Sequence, residues 1–358
     1  LRVLEGEDGG RVGVLLARAR RVYWGGRPVP AGQVSGLSVA VEHRGRGAGR
    51  ELLRAYLAEA HDRGAAICTL FPATIHLYRR AGFEYAGTWT LYEAAARNLP
   101  VGWPDGYRTV PLLPSDDPAP LMERFAPTLA GRSGQIERDA ATWRNGILRE
   151  RGTGLPQAFL VDGPDGPDGW AVLKVDEQVS ARDVTAGVEV IDWGAVSLGG
   201  WRSLLALAAG FSSLDATVIW KGPDVEPLAL LLREQDLRQV RQFRFMARVL
   251  DVPDAFAARG YPDGARGQLT LEVADGTCPW VAGTWSVEVE GGEGKAARVA
   301  GQAGAPRTDA AGLAALFAGY VDPVDLARLG VVTGLTAEDV SFLQAVHAGP
   351  RPWSADFY

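Results

Sequence analysis

The chain has 358 residues, of which 47% are hydrophobic and 22% are charged, and its formal net charge is −6. This length is too great for one ordinary core and predicts two or three domains of a globular protein. The acidic balance argues against nucleic acid as the main partner, because phosphate binding needs a basic surface. It favours a cationic or neutral small substrate.

The cysteines, the histidines and the short apolar runs exclude several further classes of protein. Two cysteines, Cys68 and Cys278, exclude a disulfide framework and indicate a reducing cytoplasm. The four histidines show no close His/Cys spacing, so the sequence predicts no metal site. The longest apolar runs are far shorter than the roughly 20 residues of a membrane span, and no signal peptide is recognised. We therefore expect a cytoplasmic protein without a membrane segment.

Composition divides the chain into three blocks. Residues 1–100 contain two strand-like runs, RVGVLLARARRVYW and VSGLSVAV, followed by a helix and a further strand. A stretch rich in Pro, Gly and Asp marks the boundary to a second block, 101–257. The last block, 258–358, begins near YPDGARG and reads as strands followed by helices, which predicts an α+β unit.

The first two blocks contain a weak internal repeat. GLSVAVEHRGRGAGRELLRAYLA in the first block and GVEVIDWGAVSLGGWRSLLALAA in the second both read as a strand, a short turn with glycine, and a helix with paired leucines. The second copy lacks the arginines and most glycines of the turn. We interpret it as a degenerate duplicate that kept the fold and lost an anion site.

The glycine-rich turn of the first copy, here called the glycine loop, lies between a strand and a helix. A helix N-terminus that follows such a turn offers free backbone N–H groups to an anion, and the helix dipole adds to their attraction. Glycines let the backbone approach a pyrophosphate, and arginines supply compensating charge. The loop consists of Arg44, Gly45, Arg46, Gly47, Ala48, Gly49 and Arg50.

The order of residues in the loop narrows the choice of anion. A dinucleotide fingerprint needs glycine where Arg50 stands, and a Walker loop ends in Gly-Lys-Ser/Thr. The pattern R-x-x-G-x-G from Arg44 to Gly49 resembles the loop with which GNAT acetyltransferases bind the pyrophosphate of acetyl-CoA. An arginine-bearing turn without a ligand is the alternative. LYRRAGFEYAG, Leu77 to Gly87, resembles the helix–turn–strand signature of the same superfamily and favours the acetyltransferase.

The order of the blocks resembles a particular group of acetyltransferases. Two tandem GNAT domains, the second degenerate, followed by a terminal α+β domain are similar to the Eis family, whose third domain resembles sterol carrier proteins. The resemblance implies a combined α/β and α+β fold, acetyl-CoA as co-substrate, and a homo-oligomer, a hexamer. The opening strand and helices that such domains have before VGVLLAR are not recognised here, so part of the substrate lid is expected to be missing or to lie outside this numbering.

The same resemblance implies direct transfer of acetyl from acetyl-CoA to a primary amine. It implies that Tyr78 protonates the departing thiolate, a role that suits a phenol with a reference pKa of about 10. The expected acceptor is a cationic small molecule, such as an aminoglycoside-like compound or a polyamine. Backbone contacts to the thioester and pantetheine are implied for Leu37, Ser38, Val39, Ala73 and Thr74.

The chain ends in RPWSADFY, in which three of the last six residues are aromatic. In the Eis family the carboxylate of the last residue enters the active site as the base, which here implies the terminal carboxylate of Tyr358. The family usually ends in Phe. Burial among aromatic rings would make such a carboxylate more basic. The aromatic residues predict a docked tail, and docking without chemistry is the alternative.

Other residues have weaker claims to a role. His76 and His43 are alternative proton carriers, although packing or structural roles are the simpler interpretation. Trp24 or Trp220 would line an aromatic substrate pocket if they are not core residues. Two further functions are also weighed: a lipid- or partner-binding protein with a vestigial acetyltransferase domain, and a protein-lysine acetyltransferase.

Overall fold

A computed structural model describes residues 1–6, 9–113, 115–149, 156–179, 184–210 and 216–358. The chain forms two compact units. Unit 1 consists of Leu1–Thr88, Gly131–Glu137 and Phe243–Tyr358, and unit 2 of Trp89–Ala130 and Arg138–Gln242. The first and last predicted blocks therefore lie mostly in one unit, while the boundaries 1–100, 101–257 and 258–358 stay a prediction.

The described residues form strands and helices in alternation through most of the chain. The strands are β1 (Arg2–Glu5), β2 (Arg11–Trp24), β3 (Arg27–Val39), β4 (Ile67–Leu70), β5 (Glu84–Ala95), β6 (Arg108–Leu112), β7 (Gln157–Gly163), β8 (Gly166–Val179), β9 (Val184–Ala195), β10 (Thr217–Gly222), β11 (Arg238–Val249), β12 (Gly267–Ala274), β13 (Gly283–Glu290), β14 (Glu293–Val299), β15 (Arg307–Asp309) and β16 (Val332–Thr333). The helices are α1 (Ala48–Asp62), α2 (Ile75–Arg80), α3 (Ala119–Phe125), α4 (Ala140–Thr142), α5 (Leu198–Ala209), α6 (Val252–Ala258), α7 (Ala310–Ala318), α8 (Pro323–Arg328) and α9 (Ala337–Val346).

Unit 1 contains a mixed sheet of strands β1, β2, β3, β4, β11 and β5, in that order, with β5 and β11 contributing only part of their length. Helix α1 packs on it through the apolar face that its spacing predicts, Leu52, Leu53, Tyr56, Leu57 and Ala60. Gly64 follows the helix at φ +81°, which is the left-handed conformation expected of a glycine cap. This sheet and helix support the glycine loop.

The terminal part of unit 1 has a second sheet, in the order β14-β13-β12-β15-β16, followed by helices as predicted. Asp309 caps α7 by accepting the N–H of Gly312, and Thr336 and Asp339 form a reciprocal capping box at α9. Val287, Leu313 and their neighbours form the core between these layers. The α+β prediction for this block is confirmed.

Unit 2 contains the strands β5, β10, β9, β8, β7 and β6, in that order, and α5 packs on them. The strand–turn–helix that the internal repeat predicts is present as β9, a turn at 196–197, and α5. Within the described part of the chain, no helix has both the length and the apolar character needed to cross a membrane.

In unit 2, a side-chain carboxylate lies at the turn of the second copy of the repeat, where an external anion would otherwise bind. Ahead of α5, the buried carboxylate of Asp168 accepts the backbone N–H groups of Val196 and Ser197, each at 3.3 Å, and the Ser197 hydroxyl. The Tyr107 hydroxyl donates to the same carboxylate at 3.3 Å. A carboxylate of the chain itself thus fills the place where the glycine loop of the first copy is open.

We expect Asp168→Ala to lower the free energy of unfolding of unit 2 by about 1–3 kcal/mol, because it leaves buried N–H and hydroxyl groups unpaired. Urea unfolding followed by circular dichroism measures this loss. Asp165→Ala is the matched control, since Asp165 is exposed in the adjacent turn. Equal stability of the two variants would show that the Asp168 contacts contribute nothing.

Candidate active site

The glycine loop joins the end of β3 to the start of α1. A 3₁₀ turn at Val41–His43 leaves the strand, and Gly45 and Gly47 adopt φ values of +76° and +90°. Gly47 is the N-cap of α1, and the first hydrogen bond of the helix runs from the Glu51 N–H to the Gly47 carbonyl at 3.0 Å. The N–H groups at 48–50 therefore have no partner within the helix and are available to an anion.

Arginine side chains surround this helix N-terminus. Arg44 donates from Nε to the Val39 carbonyl at 3.1 Å, which holds the turn against the strand end. Arg46 and Arg50 are exposed and form no ion pair among the described residues. Arg50 also borders a cavity of 350 Å³ whose wall includes Arg54 and Arg80. Arginines outnumber the two carboxylates of this wall, Asp275 and Asp309, so positive charge continues beyond the loop and suits a ligand with more than one phosphate group.

The strands beside the loop separate where the sequence predicts backbone contacts to a ligand. β3 pairs with β4 only from Ala31–Ile67 to Val34–Leu70, whereas its pairing with β2 continues to Val39. The β4-facing edge of residues 37–39 therefore has no ladder partner in the described structure. The β2–β3 register shifts just before this point, opposite Leu16 and Ala17, which is where β3 turns away from β4.

Ala73 and Thr74 lie at the same end of the sheet, because they follow β4, which runs parallel to β3. Both residues are exposed, and Thr74 is the N-cap of α2 without a side-chain cap bond. The predicted contact residues therefore border one opening between β3 and β4. Their contacts with a ligand stay predictions.

Tyr78 lies on α2 with its side chain 5% exposed, and its ring meets that of Phe83 edge-on with centroids 5.9 Å apart. Its hydroxyl forms no hydrogen bond with any described residue, and it is not sealed from solvent. Burial raises the pKa of Tyr78, and Cys68 of β4 lies close enough to add to that effect. The phenol is therefore held in its protonated form, which is the form that a general acid needs.

The C-terminal tail, residues 353–358, is docked in unit 1 as its aromatic residues predict. The Trp353 N–H donates to the Ser133 carbonyl at 3.0 Å, and the Ser354 N–H donates to the Thr88 carbonyl at 2.8 Å. Gln135 donates from Nε2 to the Trp353 carbonyl at 2.7 Å. Backbone bonds therefore fix the tail as well as ring packing does.

The last two rings of the tail pack on Phe71, which directly follows β4. The Phe357 and Tyr358 centroids lie 4.3 Å and 5.0 Å from that of Phe71. The tail thus ends beside β4, and Tyr358 packs against the same hydrophobic core that contains Cys68 and Tyr78. The structure therefore places the two residues with predicted catalytic roles at one core.

The side chain of Tyr358 enters a polar niche that the sequence does not reveal. Its phenol lies close to the Thr69 hydroxyl and the Gln33 amide, while burial raises the phenol pKa. Gln33 Nε2 and Thr69 Oγ1 have no fully formed hydrogen bond among the described residues. The sequence signal for this niche is a polar residue within each of two buried strand runs, AGQV and ICTL. A terminal Phe would leave the niche without a hydroxyl partner.

Four further residues were considered as proton carriers or as lining of a substrate pocket. His76 is exposed on α2, and His43 lies half-buried in the 3₁₀ turn. Trp24 and Trp220 are fully buried, and their indole N–H groups donate to Ala318 and Glu226. The proposal that either tryptophan lines an open pocket is therefore wrong: both are core residues.

The terminal sheet and helices enclose an apolar cavity of only 20 Å³, lined by Leu269, Val287, Phe342 and other core residues. This volume suits about one water molecule. A sterol or fatty acyl chain therefore has no room there in this conformation, and the lipid-binding alternative gains no support from it.

Comparison with known families and proteins agrees with this geometry. Residues 2–86 and residues 134–249 each match a family described as an acetyltransferase (GNAT) domain. Residues 252–355 match a sterol carrier protein domain. N-acetyltransferases from Streptomyces griseus and Streptomyces avermitilis are each 26% identical to the chain, over 93% of its length and 83% and 82% of theirs.

Solved structures show the same architecture. A GCN5-related N-acetyltransferase from Anabaena variabilis has a TM-score of 0.91 and 27% identity, covering 99% of this chain and 89% of that one. Eis1 from Mycobacterium abscessus has a TM-score of 0.80 and 22% identity, covering 99% and 90%. The predicted fold class and the likeness to the Eis architecture are thereby confirmed. The chain is an N-acetyltransferase of the GNAT type, in which two GNAT domains are followed by a sterol carrier protein domain.

Proposed function

We propose that the protein transfers the acetyl group of acetyl-CoA directly to a primary amine of a cationic small molecule, such as an aminoglycoside-like compound or a polyamine. The observation that carries this proposal is the open N-terminus of α1, with unpaired N–H groups and arginines, next to the separated edges of β3 and β4. In the described part of unit 2, the carboxylate of Asp168 already accepts the N–H groups that precede α5. We therefore propose that acetyl-CoA binds to unit 1.

The cofactor is proposed to lie along three groups of residues. The glycine loop, residues 44–50, holds the pyrophosphate, and the edge of residues 37–39 with Ala73 and Thr74 contacts pantetheine and the thioester. The arginines of the 350 Å³ cavity bordering Arg50 extend the binding surface for the nucleotide end. No metal ion takes part in this proposal, and no group of His, Cys, Asp or Glu in the described residues is arranged to hold one.

Tyr78 is proposed as the general acid and the terminal carboxylate of Tyr358 as the base. The raised pKa of Tyr78 supports its role, since the phenol stays protonated until the thiolate leaves. The docking of the tail on Phe71 supports the second role by bringing the chain terminus beside β4. An alternative acid, His76, is exposed and lacks such a setting.

A cationic acceptor fits the formal charge of −6, which attracts positive ligands at long range. We further propose three domains with the predicted boundaries, a cytoplasmic location, and a hexamer in which neighbouring chains help to enclose the substrate. Light scattering at working concentration tests the assembly, and a monomer contradicts it.

The experiment that tests the function is CoA release from acetyl-CoA with a panel of aminoglycosides, polyamines and lysine peptides. Turnover with small amines supports the proposal, whereas turnover with peptides alone identifies a protein-lysine acetyltransferase. Purified protein that binds acetyl-CoA but releases no CoA with any amine contradicts the proposed function.

We expect Gly47→Ala to raise the Kd for acetyl-CoA by about tenfold or more, because a methyl group at φ +90° strains the N-cap and sits where the pyrophosphate approaches. Isothermal titration measures the change. Gly64→Ala is the matched control: it imposes similar strain at φ +81°, with equally open surroundings, at the other end of the same helix. Equal effects of both substitutions would mean that the loop does not hold the cofactor.

A further inference from the structure

A second cavity in unit 1, with a volume of 180 Å³, lies away from the glycine loop. Its walls come from the end of α6 and the residues after it, the end of α7, the segment that follows α9, and two loops of the sheet. They include Gly25, Ser133, Arg259, Gly319, His347 and Ala348. We call it the Arg259 cavity.

Arg259 is a buried cation without a carboxylate partner among the residues that the structure describes. Its side chain is 4% exposed, and its guanidinium donates to the Phe317 carbonyl and, at 3.5 Å, to the Gly260 carbonyl. It also lies over the rings of Tyr261 and Phe317, at 4.7 Å and 5.2 Å from their centroids. Its Nη2 has no hydrogen bond with any described residue. A buried charge with an open donor is costly unless an anion approaches it.

His347 also borders the cavity and adds no charge to it. Its Nδ1 is buried and has no hydrogen-bond partner in the described part of the chain. Burial and the neighbouring Arg259 lower the pKa of His347 to about 3, while its ring interacts with the Leu316 carbonyl. The ring is therefore neutral, and because its Nδ1 is sealed from solvent, Arg259 is the charged group that an occupant of the cavity meets.

No acidic side chain lines the Arg259 cavity among the described residues. Asp322 is the carboxylate that influences His347, and it already accepts hydrogen bonds from the Val324 N–H and the Gln344 amide. The cavity thus presents an unneutralised cationic donor. An occupant that satisfies it must carry a negative oxygen.

We propose that the Arg259 cavity binds a small oxyanion such as phosphate, which accepts a hydrogen bond from the guanidinium of Arg259. This site is separate from the glycine loop and does not rest on the proposed function. Residues 346–352 form one wall and lead directly into the docked tail. An anion bound there therefore also fastens the segment that carries the chain terminus.

Titration calorimetry of the full chain with inorganic phosphate tests the proposal, with Arg259→Gln and Arg46→Gln as paired variants. We expect Arg259→Gln to weaken one phosphate site by more than about tenfold, since it removes a charged hydrogen bond, and Arg46→Gln to leave that site intact. If Arg46→Gln abolishes phosphate binding and Arg259→Gln retains it, phosphate binds only at the glycine loop and the proposal is wrong. Absence of binding to the wild-type chain also overturns the proposal.

A substitution at the rim avoids removing a buried side chain. Ala348 is exposed at the wall of the cavity, so Ala348→Glu adds a repelling charge without disturbing the core, and Ala348→Gln is its neutral match. We expect weaker phosphate binding in the Glu variant alone. Equal phosphate affinity in the two rim variants contradicts the site.

Discussion

Replacing Tyr78 by Phe should lower kcat by about 10²–10⁴-fold while leaving the Kd for acetyl-CoA nearly unchanged. The substitution removes only the hydroxyl, and that hydroxyl has no partner among the described residues. The ring keeps its edge-on packing against Phe83, so the fold loses little. Steady-state kinetics with the best amine of the panel, together with titration of acetyl-CoA, separates the two effects.

The pH dependence gives a second test of the same role. A general acid is active in its protonated form, so the rate contribution of Tyr78 is present below the pKa of its phenol and is lost as the pH rises through it. Because burial raises that pKa above the usual value of about 10, the loss should fall at strongly alkaline pH. The alkaline limb should be absent in Tyr78→Phe.

Tyr85→Phe is the matched control for this substitution. Tyr85 lies at the start of β5, half-buried, and its ring is covered by the guanidinium of Arg79 at 5.2 Å. Losing its hydroxyl should leave kcat unchanged. If Tyr85→Phe lowers kcat as much as Tyr78→Phe, the effect comes from the shared segment, and Tyr78 is not the acid.

The strand–turn–helix motif occurs once in each unit, and the turn before its helix is open in unit 1 and occupied in unit 2. In unit 1, glycines at positive φ open the N-terminus of α1 and arginines surround it. In unit 2, Asp168 accepts the N–H groups before α5, and a Cβ on Gly200 would lie 2.0 Å from its carboxylate oxygen. Both helix ends attract negative charge. Only the first leaves that attraction for a ligand.

Local patterns in the sequence predict much of this arrangement. The buried face of α1, the glycine cap at Gly64, the repeat in unit 2 and the docked tail all follow from spacing or residue type at neighbouring positions. The Asp168 contacts could not be predicted in this way, because they join residues 28 and 29 positions apart across a strand pair. Burial of Trp24 and Trp220 likewise depends on the packing of distant segments.

The niche of Tyr358 was missed for the same reason. Gln33 and Thr69 lie on different strands, and each looks like an isolated polar residue in an apolar run. Only the pairing of β3 with β4, which places Gln33 opposite Thr69, brings them together. The sequence therefore predicts that the tail docks, but not which groups receive its last side chain.

Adding one glycine after Tyr358 should lower kcat by about 10²-fold. The new residue converts the Tyr358 carboxylate into an amide and carries the terminal charge away by about 3.8 Å, one Cα–Cα step. A displacement of this size is enough to remove a positioned catalytic group from its reactive geometry. The rings on Phe71 and the backbone bonds of Trp353 and Ser354 remain in place, so the fold should be stable.

Tyr358→Phe separates the base from the anchor. It keeps the terminal carboxylate where it is and removes the phenol that faces Gln33 and Thr69. We expect it to retain most of kcat while making the tail more sensitive to carboxypeptidase, because the niche loses its hydroxyl partner. If the extra glycine leaves kcat unchanged, the carboxylate is not the base and the tail only anchors the terminus. If the extra glycine and Tyr358→Phe lower kcat equally, docking of the side chain, rather than the position of the carboxylate, limits the reaction.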